Sequence, residues 1–352
     1  MRLLVLGGTR FLGRHAVDAA LARGHDVTIF TRGRLPVPWP AAEGGGRGVT
    51  ARTGDRDPRI APGLAALEAG TWDAVIDCSG YVPRVVEAGA RMLAPRVARY
   101  VFVSSMSVYA KTERPRMNEQ TPVAVLADPD TEQVMEHYGA LKAACESVIG
   151  GLYGARATQV RPGLIVGPFD ATDRFAYWVA RFVHPQLLGD RAAQAVVPAP
   201  RGRPVQFIDA RDLAAWLLDI AERDIGGAFN ACSPAEHCSM GDLVDALVAA
   251  AASPPEPAWL DAATLVANGV EPWTGLPLWL PPSEPDSAGF MAMDCSRAQH
   301  AGLATRPLAQ TIADTAAWLA ARDNAGAWKQ VITADAERRI SRYDRADIDL
   351  QR

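Results

Sequence analysis

The chain has 352 residues, with Lys+Arg 36 against Asp+Glu 40 and a formal net charge of -4. That length suits one large domain or a large and a small one, and there is no overall basic excess of the kind that favours long-range attraction to nucleic acid or to an anionic membrane. The expected partner is a small-molecule substrate, with no nucleic acid and no membrane.

In chain order, RLLVL (2–6) is a short apolar run that ends at glycines, and Phe11, Leu12, Ala16, Ala19 and Ala20 then fall on helical spacing over 11–22. This predicts strand, turn, helix. DVTIF (26–30), DAVIDC (73–78) and YVFVSS (100–105) are further short strands, separated by predicted helices around 62–69 and 84–94. A helix runs from Tyr138 to about Gly150, and ATQVRPGLIVG (157–167) returns as a strand interrupted at Pro162-Gly163. Strands alternating with helices imply an α/β, Rossmann-type doubly wound parallel sheet.

From about residue 168 proline, tryptophan and loop signals become denser, notably in PAPRGRP (198–204) and EPWTGLPLWLPPSEP (271–285). The sequence therefore predicts a nucleotide-binding domain over 1–167 and a smaller C-terminal, substrate-binding domain over 168–330. VQFID and GAFNA, within about 205–235, read as strands returning to the first domain. The last residues, 331–352, mix both charge signs with few apolar positions and read as a polar, solvated tail.

Cys78, Cys145, Cys232, Cys238 and Cys295 are odd in number and lie in apolar or strand-like segments, which predicts buried thiols in a reducing, cytoplasmic setting. CSPAEHC (232–238) lacks a second ligand pair at zinc spacing, so no metal site is read there. No secretory leader is read at the N-terminus, and no run approaches the roughly 20 apolar residues that span a bilayer.

The glycine turn carries the first chemistry. A strand that feeds a glycine turn at a helix start aims backbone N–H groups and the positive helix end at a pyrophosphate. Gly7 would make the tight turn and Gly13 would let helix and sheet approach, with Thr9, Arg10, Phe11 and Leu12 between them. The second strand runs into IFTRGR, where the acid that usually accepts hydrogen bonds from an adenosine ribose is missing; Arg32 and Arg34 stand there instead. With Arg10 they offer planar forks of donors matched to a phosphate, so NADP(H) is the expected cofactor, NAD(H) being possible.

HYGALKAACE places Tyr138 and Lys142 four apart on one helix face. A phenol near an ammonium can exchange a proton as hydride moves, and Ser105, ending a predicted strand, could orient the same oxygen.

GGTRFLG, YVFVSSMSVYA, YGALKAACE and RPGLIVGP occur in the order found in extended short-chain dehydrogenases/reductases, the NAD(P)-dependent epimerase/dehydratase group, which the chain resembles over about residues 1–235. The resemblance implies Ser105, Tyr138 and Lys142 as the catalytic triad, with Lys142 also on the nicotinamide ribose. It further implies Asp55 near the adenine, Cys78 and Ser79 along the cofactor, and Arg161, Pro162, Gly163 and Ile165 beside the nicotinamide. It also implies a homodimer that pairs the helices near 84–94 and 138–150. Val85, Val86, Ala88, Gly89, Met92 and Leu93 give the first of these a broad apolar or small-residue surface.

Two departures refine the reading. Arg10 replaces the family's middle glycine, as in the atypical branch that includes chloroplast stem-loop RNA-binding proteins. Met106 and Ser107 follow Ser105 where sugar-nucleotide dehydratases carry acids, which removes the acid–base candidates for water elimination. The expected activity is an NADPH-dependent oxidoreductase acting on a carbonyl or imine. The alternatives are a sugar-nucleotide epimerase, with Arg201, Arg203 and Arg297 as diphosphate donors, and an RNA-associated or cofactor-sensing binding protein. Tyr81, Tyr177, Trp178, Trp273 and Trp279 are the aromatic candidates for a substrate pocket.

Overall fold

A computed structural model of the chain describes residues 1–42, 48–281, 285–322, 328–329 and 331–341. The strands are β1 (Arg2–Leu6), β2 (Asp26–Thr31), β3 (Val49–Thr53), β4 (Trp72–Asp77), β5 (Val97–Val103), β6 (Ala157–Pro162), β7 (Leu164–Val166), β8 (Gln194–Pro198), β9 (Phe207–Asp209), β10 (Gly227–Ala231) and β11 (Glu256–Leu260). The helices are α1 (Phe11–Ala22), α2 (Pro83–Leu93), α3 (Val134–Tyr153), α4 (Arg174–Val183), α5 (Ala210–Glu222), α6 (Met240–Ala250), α7 (Ala262–Ala267), α8 (Ser296–His300), α9 (Leu308–Ala321) and α10 (Ala334–Ile340).

Seven strands form one parallel sheet in the order β10-β6-β5-β4-β1-β2-β3. Strand β1 is apolar on both faces, and the period of two explains why. Leu3 and Val5 join one core with α1 and α5 residues such as Ala16, Val17 and Trp216. Leu4 and Leu6 point the other way into a core with Val86 and Ala90 of α2 and Cys145 and Ile149 of α3. The chain order reverses between β1 and β4, so a crevice opens beyond the carboxyl ends of these strands.

The predicted strand over 157–167 is two strands in two sheets. β6 lies in the large sheet, whereas β7, after Gly163, pairs with β9. A third core, built from α4, α6, α9 and β8, fills the C-terminal lobe. The return to the first domain is wider than expected, since Met293, Cys295, Ala298 and Leu303 also pack into the α1–α5 core.

Three expectations are corrected. The helix over 62–69 is a loop with a single 3-10 turn, Ala65–Leu67. Gly63 turns at φ +58 and its carbonyl accepts from Asp55 N at 3.0 Å, which diverts the backbone into the Asp55 turn. Strand β3 was not anticipated: it is an edge strand with three of its five residues exposed, so VTART carries no apolar stripe. The tail is not solvated over 331–341, where α10 is docked and Glu337 and Ile340 are fully buried; residues 342–352 lie outside the described residues.

The apolar face of α2 is partly spent within the chain, because Val86, Gly89 and Leu93 are buried while Val85, Ala88 and Met92 are half-buried. No helix among the described residues is long and apolar enough to cross a membrane.

Candidate active site

The crevice above β1 and β4 is a cleft of about 1060 Å³ that runs from the β1–α1 turn to the C-terminal lobe. Gly7, Thr9, Arg10, Phe11, Leu12 and Gly13 line one end of it. Gly7 sits at φ +88, and a side chain on Gly13 would start 2.2 Å from the Gly7 carbonyl oxygen. The tight turn and the close helix approach therefore both demand glycine.

The arginine between them has a different logic. Arg10 is the N-cap of α1 with φ -129 and ψ 144, extended backbone that any side chain adopts. Replacing glycine there costs nothing in backbone strain, and the guanidinium joins Arg32 and Arg34 on the cleft wall. All three are exposed.

Deeper along the cleft, Asp77 ends β4 and is fully buried. It accepts from Arg56, from Tyr100 Oη at 2.7 Å and from Ser79 N at 3.0 Å. Its pKa is lowered: burial, the largest influence, pushes it up, but the Arg56 charge and the hydrogen bonds together outweigh that. Asp55, Arg56, Cys78 and Ser79 all line the cleft. Burial pushes the Cys78 thiol up to about 12, so it is an inert wall rather than a nucleophile.

Ser105, Tyr138 and Lys142 line the same cleft. Ser105 caps the short turn Met106–Val108, its Oγ accepting from Ser107 N at 3.1 Å. Tyr138 lies in the first turns of α3, and Gly139 beside it lets α3 press on that turn, since a Cβ there would lie 2.0 Å from the Ser107 carbonyl oxygen. Burial raises the Tyr138 pKa, with the Ser105 hydrogen bond and the Arg174 charge opposing it. Lys142 Nζ donates to the Gly80 and Val103 carbonyls at 2.8 and 2.6 Å. It also stands 4.3 Å from the Phe102 ring centre and 5.2 Å from that of Tyr81. Burial lowers its pKa to about 8, with Asp77 resisting.

Of the residues expected beside the nicotinamide, Pro162, Gly163 and Ile165 line the cleft. Arg161 does not: its guanidinium donates to buried Glu146 at 2.6 Å and to Tyr109 Oη at 3.0 Å. Of the aromatic candidates, Tyr81 and Trp273 line the cleft. Tyr177, Trp178 and Trp279 are fully buried in the C-terminal core, with Trp178 Nε1 on the Pro277 carbonyl at 3.0 Å. Helix α4 is buried nearly all round, and these large side chains fill its surroundings.

The sequence reading missed Arg56, Gly139, Thr172, Arg174, Leu280 and Phe290. Only Gly139, next to Tyr138, had a local signal. Arg201, Arg203 and Arg297 do not line the cleft. Arg201 pairs with exposed Asp245, Arg203 donates to the Ala199 and Leu280 carbonyls, and Arg297 lies over the Phe229 ring.

The fold and the cleft define a doubly wound α/β protein with a dinucleotide-type crevice at the switch point of its sheet. Residues 3–232 match the NAD dependent epimerase/dehydratase family, and the chain belongs to that family. A curated relative, chloroplast stem-loop binding protein of 41 kDa b from Arabidopsis thaliana, is 29% identical over 177 residues, which spans 48% of this chain and 43% of that protein. UDP-glucuronic acid 4-epimerase from Bacillus cereus in complex with NAD superposes with a TM-score of 0.63 at 14% identity, covering 93% of this chain and 99% of that one. A human epimerase family protein with NADPH superposes with a TM-score of 0.57 at 18% identity, covering 90% and 99%. At these identities the two structures share the fold.

Proposed function

We propose that the protein is an NADPH-dependent reductase that acts on a carbonyl or imine of a small molecule. The observation that carries this reading is one cleft with two kinds of group at its ends: three exposed guanidiniums, Arg10, Arg32 and Arg34, and the set Ser105, Tyr138 and Lys142. The nucleotide fits the residues present. Gly7 and Gly13 let the β1–α1 turn close tightly, so that the α1 N-terminus can face a pyrophosphate in the cleft, and the arginines match a ribose 2′-phosphate where an acid would repel it. Structures of this fold carry NAD in the Bacillus cereus epimerase and NADPH in the human protein; the arginines are what favour NADPH here, with NADH as the secondary cofactor.

NADPH, when bound, supplies the hydride. Tyr138, its pKa raised by burial, keeps its proton at neutral pH and donates it to the substrate oxygen or nitrogen. The Ser105 hydroxyl holds that same atom. Lys142 has two of its three N–H donors on backbone carbonyls, and the third would serve the nicotinamide ribose. Trp273, Leu280 and Phe290 give the substrate end an apolar lining. A sugar-nucleotide epimerase is the weaker reading, because Arg201, Arg203 and Arg297 are engaged outside the cleft. The stem-loop relative suggests a binding role, which would leave Ser105, Tyr138 and Lys142 unused.

The test is NADPH consumption with a panel of small aldehydes, ketones and imines. Tyr138→Phe removes only the phenol oxygen and its proton, so turnover of any substrate found should fall by roughly 10²–10⁴-fold, with NADPH affinity nearly unchanged. Turnover near the wild-type rate contradicts the mechanism.

A further inference from the structure

The catalytic end of the cleft contains a cation that the hydride-transfer chemistry leaves without a task. Arg174, the first residue of α4, lines the cleft, and its Nε donates to Thr172 Oγ1 at 3.1 Å. Its guanidinium carbon lies 5.5 Å from the centre of the Trp273 ring. The neighbouring acid, Asp170, is buried, and its carboxylate accepts from Thr172 N at 2.9 Å and from Thr172 Oγ1 at 2.7 Å. The two terminal nitrogens of Arg174 therefore have no hydrogen-bond acceptor or ion-pair partner among the described residues.

Burial disfavours the Arg174 charge, the nearby Asp170 carboxylate only partly offsets this, and a cation at a helix N-terminus opposes the helix dipole. An anion arriving from the cleft would relieve both. Arg174 also acts electrostatically on the Tyr138 phenol, so that anion would sit close to the reacting group.

Resting on the reductase reading, we propose that Arg174 is a specificity-determining residue that grips a single carboxylate of the substrate, with Trp273 stacked beside its guanidinium. The substrate class is then a monocarboxylate with an apolar body that carries the reducible carbonyl or imine. The planar guanidinium fork matches a carboxylate in two-point contact. The other arginines on the cleft wall, Arg10, Arg32, Arg34 and Arg56, lie toward the nucleotide end, and Lys142 is held by Gly80 and Val103. Among the described residues at the substrate end Arg174 is the one free cation, and it neutralises one charge, which disfavours a nucleoside diphosphate. Leu280, Phe290 and Ile165 supply the apolar wall.

Calorimetric titration of the full chain with phenylacetate, phenylacetamide and phenyl phosphate, with and without NADPH, tests this. Phenylacetate should bind at least tenfold tighter than the amide and tighter than phenyl phosphate, because a hydrogen-bonded charge pair is worth about that factor or more. Arg174→Leu should reduce the acid–amide discrimination below twofold, and Arg174→Lys should retain part of it. NADPH affinity should stay unchanged in both variants, which also shows that they fold. Wild-type discrimination below tenfold, discrimination that survives Arg174→Leu, or tighter binding of phenyl phosphate overturns the proposal. Failure to bind NADPH, with the acid–amide difference intact in the titrations without it, would instead refute the cofactor reading.

Discussion

Lys142 carries a charge that its surroundings oppose. Burial holds its pKa at about 8, below the ordinary 10.5, so between those values the unfolded chain binds more protons than the folded one. The cost to stability is fully present below about pH 8 and is relieved as pH rises toward 10.5. Function runs the other way, because the charge that serves the ribose is lost as pH rises through about 8. NADPH affinity should therefore fall roughly tenfold between about pH 7 and about pH 9. Lys142→Met should bind weakly with no such step. A flat wild-type profile over that range would show that the charge is not used. Tyr138 and Lys142 were legible in the sequence because a spacing of four is a local geometric fact, and Ser105 because it lies just beyond the apolar run of β5. Arg174 was not, since Trp273 is distant in the chain and only the folded C-terminal lobe brings the two together.

Helix α10 shows what element-level reading misses. ADAERRI looks solvated, yet Glu337 is fully buried and accepts from Arg181 Nε at 2.8 Å and Arg191 at 3.4 Å. A buried ion pair between distant segments leaves no periodic signal, so its charges read as surface. Removing one partner strands the other, and Glu337→Ala should destabilise the fold by about 3 kcal/mol, the lower end of the usual cost because Arg181 keeps the Ala192 and Gln194 carbonyls. A urea midpoint equal to that of the wild type would show the pair to be dispensable. The same limit explains α4, where Tyr177 and Trp178 read as pocket residues and are core. By contrast β1, β2, β4 and β5 were legible because central parallel strands are continuous apolar runs, whereas the edge strand β3 has no such run.

At the scale of the whole molecule, strand order does the functional work. Reversing the chain between β1 and β4 opens the crevice, and the returning segments β9, α5 and β10 tie the C-terminal lobe to the sheet so that Trp273 and Phe290 line the same crevice as the β1–α1 turn. Alternation of strands and helices made the sheet legible, but nothing local revealed that 293–303 also crosses back to the first core. The proposed nucleotide carries a 2′-phosphate that the arginines at the β2 end of the cleft would read. Calorimetric titration of NADPH and NADH into the wild type and the Arg32→Ala/Arg34→Ala variant checks this. The wild type should bind NADPH at least tenfold tighter than NADH, as expected for charge-assisted hydrogen bonds to phosphate, and the double variant should lose that preference. Equal wild-type affinities, or a preference that survives both substitutions, would contradict it.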